Sequence, residues 1–372
     1  MSQDDHHNTS ETAAGLALIL LTLAGWTAVP ILIFMFKDDV DPWTANGWRY
    51  AFAALLWSPL LIYKIAFGKW SRGLLLAALV PGLCNALGQI VFTYSLYKVE
   101  PAVMSFGLRF QIVAVTALAA IFFPPERRII RKPLFIAGLA LLALGVFGTA
   151  ASGGILDSKS GLEGMIYAIA AGGMFGCYAL AVRGFMKHFG AFESFAVVSQ
   201  LTAATMLVLM FTFGTAHGTT AVAMAALDPG RFGLFLLSAV IGIAAGHVLY
   251  YLAIRNLGVT VSSGVVQLQP FTIGIVSSLP LLAHFEGFRP LAEIKGLTPL
   301  QWLTGAVAVG GAILMIVVQH AVKQADKRAA MGGTGVSPVA DDIEAFEDLP
   351  PDAIASQTIT EHEGELEDAA AR

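Results

Sequence analysis

Residues Ala13–Phe36 read AAGLALILLTLAGWTAVPILIFMF, 24 positions without an ionisable side chain. Crossing the hydrocarbon of a bilayer takes roughly 20 apolar residues, and only a helix satisfies all its backbone groups within one such segment. The stretch is therefore predicted to cross a membrane. Working outward, nine further runs of the same kind follow: Ala45–Phe67, Gly73–Tyr97, Pro101–Phe123, Leu134–Ala151, Leu162–Val182, Phe192–Phe213, Phe232–Ile254, Val259–Ala283 and Leu300–Ala321. The gaps between them are short and hold nearly every ionisable residue. They carry turn punctuation such as Asp41-Pro42, Pro124-Pro125, Gly153-Gly154 and Asp228-Pro229-Gly230. The predicted fold is all-α integral membrane, with ten transmembrane helices.

Composition agrees. The chain is 56% hydrophobic and 13% charged, where a soluble domain carries about 25% charged residues, and its mean hydropathy is +0.71. The net charge of −4 hides an uneven distribution. Residues 322–372 carry −8 and Asp4, Asp5 and Glu11 add −3, which leaves the apolar body at +7. That acidic, Gly/Pro-rich tail has few aromatics and is predicted to be disordered. Residues 1–12 read as a cytoplasmic N-terminal tail that lacks the basic region of a cleaved signal peptide. Cys84 and Cys177 sit inside apolar runs, where small buried hydrophobes are expected.

Basic residues alternate from gap to gap. With the N-terminus inside, thirteen Lys and Arg face the cytoplasm and six (Lys37, Lys98, Lys159, Arg231, Arg289, Lys295) face out. The positive-inside rule then places both termini in the cytoplasm, as an even number of spans requires. Asn8-Thr9-Ser10 matches a glycosylation acceptor, but this orientation keeps it from the enzymes that would use it.

The two halves of the body, 13–151 and 161–321, resemble each other. Gly15 and Trp26 match Gly164 and Phe175 at an offset of 149; Gln89, Arg109 and Gln111 match His247, Gln267 and Gln269 at an offset of 158. Five helices per unit is an odd number, so the second unit enters the membrane upside down. Inverted repeats with a binding site at their interface are a recurrent transporter plan.

At these residues the chain resembles the drug/metabolite transporter superfamily, in its ten-helix EamA-type branch. The resemblance is carried by Gly15 to Trp26, Arg49-Tyr50, Tyr94-Ser95-Leu96, Tyr251-Leu252-Ala253, Pro270, Glu126 and Glu286, and it extends over residues 13–321. Ile112 stands where the first unit of that family often has proline. The resemblance implies two inverted five-helix units around a central cavity, moving small metabolites by alternating access.

Polar groups inside the spans are the functional candidates, because an intramembrane ionisable group is costly unless it faces protein or water. Arg109 lies eight residues into its span, about 12 Å along the axis. No carboxylate lies at matching depth, so either a solute supplies an anion or the guanidinium bonds helix-end carbonyls or snorkels to the outer surface. Gln111 points about 200° away from it on a continuous helix, and Gln267 and Gln269 are related in the same way. Arg109 and Gln267 are therefore expected to line the cavity while their companions bond neighbouring helices. Asn85 and Gln89 share a face and offer hydrogen bonds to a sugar, amide or base. His247 either titrates in proton coupling or stays neutral and bonded to a neighbour. Trp26 and Tyr178 lie near span centres, and Tyr251 follows His247 by one turn; these aromatics stack on a solute or pack helices. Arg49 is expected to reach the outer interface, with Asp39 or Asp41 as partners.

Gly172-x-x-x-Gly176 and Ala306-x-x-x-Gly310 are close-packing signals that suit helix contact or a homodimer. No phosphate loop, metal framework or cofactor motif is visible. The expected partners are a small-molecule substrate and membrane lipids, with no nucleic acid, and the expected localisation is the cytoplasmic (inner) membrane. The sequence reads as a secondary transporter or exporter of a small organic solute, anionic or sugar- or amino-acid-like. The rivals are a membrane-embedded enzyme acting on lipid-linked groups and a regulatory membrane protein that uses the acidic tail.

Overall fold

The computed structural model describes residues 3–122, 127–214, 228–257, 259–279 and 294–332. Among them every regular element is helical. The order is α1 (Gln3–Met35), α2 (Pro42–Ala66), α3 (Arg72–Leu96), α4 (Pro101–Leu108), α5 (Gln111–Phe122), α6 (Pro133–Ser152), α7 (Lys159–Phe185), α8 (Ala191–Phe213), α9 (Pro229–Ala239), α10 (Gly246–Leu257), α11 (Val259–Val266), α12 (Gln269–Ser277) and α13 (Pro299–Gly332). A short helix, Arg127–Ile130, precedes α6, and a π-helical turn, Val240–Ala244, joins α9 to α10.

Eight helical segments are long and apolar enough to cross a membrane: Ala13–Met35, Gly73–Leu96, Pro101–Phe122, Pro133–Ser152, Lys159–Phe185, Phe192–Phe213, Pro229–Ile254 and Pro299–Val322. The chain is thus an all-α, multi-pass membrane protein. The two other predicted spans are helical but different in kind. α2 is continuous over 25 residues, but its first half carries Thr44, Asn46 and Arg49, all buried. The stretch 259–277 is two short helices, α11 and α12. At the far end α13 continues beyond Ala321 to Gly332. The rest of the acidic tail lies outside the described residues, as do Glu126 and Glu286.

Helix starts follow from local chemistry. Asp41 Oδ1 accepts the N–H groups of Trp43 and Thr44 at 2.9 and 3.1 Å, and Pro42 occupies the first helical position of α2. Asp228 and Pro229 repeat the device at α9. Ser158 accepts from Gly161 N–H at 3.0 Å to start α7.

The surface is greasy: Leu76 and Phe122 are 69% exposed and Phe211 is 70% exposed. Lipid tails are as apolar as leucine, so large side chains gain little by turning inward. Small residues let backbones approach instead. The tightest pairing is α6 on α13, where a Cβ added to Gly145 would lie 2.2 Å from the Ala308 nitrogen and one added to Gly311 would lie 2.5 Å from the Gly138 carbonyl. This moves the predicted contact on α13 from Ala306 and Gly310 to Ala308 and Gly311, because Ala306 is exposed and Gly310 faces open space. α3 packs chiefly on α7, α2 on α8, and α1 on α10, and α4 contacts α12.

Candidate functional site

Two helices break inside the bundle. Between α4 and α5, Arg109 N–H bonds back only to Phe106 O at 3.1 Å and Phe110 N–H to Gly107 O at 3.1 Å, so Ser105 O loses its usual donor four residues on. Between α11 and α12 the cause is Pro270, which has no N–H to give to Val266 O and biases the preceding residue away from helix. Both orphaned carbonyls are taken by one side chain. Arg109 Nε donates to Ser105 O at 3.0 Å and Nη1 to Val266 O at 3.1 Å.

The same guanidinium gathers two glutamines. Nη1 donates to Gln267 Oε1 at 3.2 Å and Nη2 to Gln269 Oε1 at 2.7 Å. The expectation that Gln267 and Gln269 face opposite ways assumed a continuous helix; the break at Gln267–Leu268 turns both toward Arg109. Gln269 then donates its Nε2 to Trp26 O at 2.6 Å. That carbonyl is free for a parallel reason, since the residue four positions on is Pro30, inside α1. Arg109 is therefore tied to protein acceptors at Nε, Nη1 and Nη2. On this geometry all but one of its N–H groups are bonded to protein, and it clips helices together.

Trp26 leads into an aromatic group. Its ring centroid lies 5.7 Å from His247, edge-on, and 5.2 Å from Tyr250. Phe195 flanks His247 at 5.0 Å, and Tyr250 is 6.4 Å from Tyr251 with its hydroxyl 3.0 Å from Ser263 Oγ. A Cβ at Gly246 would lie 2.6 Å from Trp26 Nε1, so a glycine there lets the indole sit against α10. The π-helical turn just before it shifts the register that aims His247; such turns are frequent at functional sites. Tyr178 is within electrostatic reach of Tyr251 and Tyr50. Tyr178, His247 and Tyr251 lie deep in the bundle yet keep part of their surface accessible.

Asn85 and Gln89 lie on α3. Asn85 Nδ2 donates to Thr202 Oγ1 at 3.0 Å. Gln89 contributes its backbone carbonyl, which accepts from Asn46 Nδ2 at 3.3 Å, while Asn46 Oδ1 accepts from Thr93 at 2.9 Å. The Gln89 side chain remains partly accessible. Among the described residues, no three His, Cys, Asp or Glu side chains come close enough to share a metal ion.

Arg49 departs furthest from expectation. It does not reach the interface: α2 begins at Pro42, so Arg49 is two turns in, and it is 1% exposed. Asp39 bonds Arg231 at 2.7 Å instead, and Asp41 is occupied as the helix cap. Arg49 Nε donates to Ser238 Oγ at 3.0 Å, while its Nη1 is buried without a partner. The sequence signal was an Arg-Tyr pair within a run otherwise apolar enough to bury it. Further ion pairs tie helix ends together: Lys98 with Glu163 at 2.7 Å, and Lys64 with Glu193.

No family model matches the chain, and no curated protein matches it. A solved structure described as "Crystal structure of protein" is 19% identical, covering 83% of this chain and 97% of that one with a TM-score of 0.44. A likeness of that size carries no reading of function.

Proposed function

We propose that the protein is a secondary transporter of a small organic solute, of the EamA type within the drug/metabolite transporter superfamily, working by alternating access. Its ten spans form two inverted five-helix units, with both termini on the cytoplasmic side of the inner membrane. The observation that carries this reading is the pair of broken helices: Arg109 and Gln267 stand at the two breaks, 158 residues apart in sequence, and bond each other inside the bundle. Discontinuous helices at a repeat interface are where transporters place their sites.

The pattern of helix packing supports the repeat. Numbering the ten spans in order, span 3 packs on 6 and span 8 on 1; span 4 packs on 6 and span 9 on 1; span 3 packs on 7 and span 8 on 2. Spans 5 and 10, 2 and 7, and 4 and 9 pack on each other. Exchanging the halves leaves this set unchanged, as a two-fold relation between the units requires. The solute would sit among Trp26, Tyr178, His247 and Tyr251, with Asn85 and Gln89 at its polar edge, while the units rock about the Arg109 clip.

The test is counterflow. Protein reconstituted in liposomes preloaded with unlabelled amino acids, nucleosides, sugars or aromatic carboxylates should accumulate the matching labelled solute, and Trp26→Ala should reduce that uptake about tenfold or more if the indole carries stacking energy. A protein that turns over a lipid-linked substrate in detergent, with no counterflow for any solute, would sink the reading. So would labelling that finds the two termini on opposite faces.

A further inference from the structure

Cys84 of α3 and Cys177 of α7 are both free and half-buried, and the packing of their two helices brings them face to face. α3 and α7 run antiparallel, and three contacts mark one seam between them. Lys98, just past the end of α3, pairs with Glu163 at 2.7 Å. The rings of Tyr94 and Tyr167 lie 6.1 Å apart, and a Cβ added to Gly88 would lie 3.3 Å from Met174 Cβ. Moving back along α3 is matched by moving forward along α7, in the threes and fours that keep to one helix face. The next turn of that seam sets Cys84, four residues before Gly88, opposite Cys177, three residues after Met174. The register holds on the far side as well, where a Cβ at Gly73 would lie 3.8 Å from Phe189 Cζ. The two thiols are also within electrostatic reach of each other.

The approach suits a covalent bond. A disulfide joins Cβ atoms about 3.5–4.5 Å apart, and the Gly88–Met174 contact one turn away brings the two helices that close. At the corresponding positions of the other half, offset by 149 and 158, stand Ala28 and Gly242. That seam is also tight, since a Cβ at Gly242 would lie 2.4 Å from Val29 Cγ2, but it holds no sulfur. Beside the cysteines the surface is apolar: Leu83 and Leu87 are 56% and 44% exposed. An oxidant dissolved in lipid, such as a hydroperoxide, has access to this flank.

We propose that Cys84 and Cys177 form a reversible disulfide site, oxidised by hydroperoxides, whose bond ties the first half of the body to the second. One thiol attacks the peroxide oxygen as its thiolate, giving a sulfenic acid and an alkoxide that takes up the thiol proton and leaves as an alcohol. The second thiol attacks the sulfenic sulfur, forming the S–S bond and releasing water. The peroxide gains the two electrons that the thiols lose. Because α3 and α7 belong to different halves, the bond would stop those halves from moving past each other. That consequence rests on the transport reading; the bond does not.

Purified full-length protein, in detergent and in liposomes, is treated with cumene hydroperoxide. Its non-reduced digest is then read by mass spectrometry, and its remaining thiols are labelled with a maleimide. A single cross-linked peptide joining Cys84 to Cys177, lighter than its two parts by two hydrogen atoms, should appear. Both thiols should lose labelling together and regain it together after dithiothreitol. Counterflow in the same liposomes should fall in proportion to the fraction cross-linked, recover on reduction, and resist the peroxide in Cys84→Ser and Cys177→Ser. The site is overturned if the thiols oxidise independently to sulfinic acids, if they bridge two chains, or if both keep full labelling after treatment. A cross-linked protein with undiminished counterflow overturns the clamp. Cross-linked protein with no counterflow in either redox state contradicts transport and leaves the bond standing.

Discussion

Arg109 and Arg49 are comparably hidden, at 6% and 1% exposure, but the backbone around them differs. Arg109 sits at a break, and breaks release carbonyls. Ser105 O and Val266 O are free because their usual donors are displaced or, at Pro270, missing, and the guanidinium takes both. Arg49 sits inside an unbroken helix, α2, where neighbouring carbonyls are already used by the helix itself. It therefore finds a serine hydroxyl and little else. The same side chain becomes a structural clip where the backbone is irregular and an unsatisfied charge where it is regular.

The contrast predicts that removing the two arginines has unequal effects on stability. Arg109→Met leaves two carbonyls and two glutamine oxygens without their donor, at about 1–3 kcal/mol for each buried group left unsatisfied, so stability should fall by several kcal/mol, read as a lower denaturation midpoint or a loss of monodisperse protein in detergent. Arg49→Gln, by comparison, should retain a near-parental midpoint, since it removes an uncompensated charge; a collapse as deep as that of Arg109→Met would erase the distinction.

Gln269→Leu probes one arm of the clip. It removes the acceptor at Nη2 and the donor to Trp26 O, and two buried bonds at about 1 kcal/mol each put the expected loss near 2 kcal/mol in the same assay. Parental stability would mean that the clip does not depend on its glutamines.

The smallest effect concerns a buried charge of the opposite sign. Glu100, just before α4, has an Oε2 without a partner, and burial pushes its carboxyl above the usual range against the pull of Lys37 and Lys295. A raised carboxylate makes the folded state bind more protons than the unfolded one. Its contribution is therefore fully present below the ordinary value of 4.5 and is lost as pH rises through the folded value. Glu100→Gln should be slightly more stable than the parent at neutral pH, with the gap closing as pH falls toward 4.5; a gap that widens on acidification would contradict the assignment.

Several of these devices can be read from residues alone. The α2 and α9 starts are written in Asp41-Pro42 and Asp228-Pro229, and Pro30 and Pro270 announce which carbonyls, those of Trp26 and Val266, will lack a donor. The alignment of Arg109 with Gln267 also pairs residues that meet in the bundle. What a helical wheel misplaces is Gln269, because the wheel assumes that one axis continues through residue 268. The break after Arg109 has no proline to mark it; it coincides with Gly172 of α7, where an added Cβ would lie 2.8 Å from Leu108 O.

Membrane insertion and the positions of most helices follow from composition, since a long apolar run in lipid has few conformations open to it. Which polar group finds which partner does not follow from composition. Arg49 and Arg109 are both lone arginines in apolar runs, and nothing in their immediate neighbours separates them. The difference arises where distant helices meet, since an acceptor from residue 266 or 269 reaches Arg109 and none reaches Arg49 Nη1. Hydrogen bonding in a bundle is decided by which freed groups come within about 3 Å, and that distance is set by packing between segments more than a hundred residues apart.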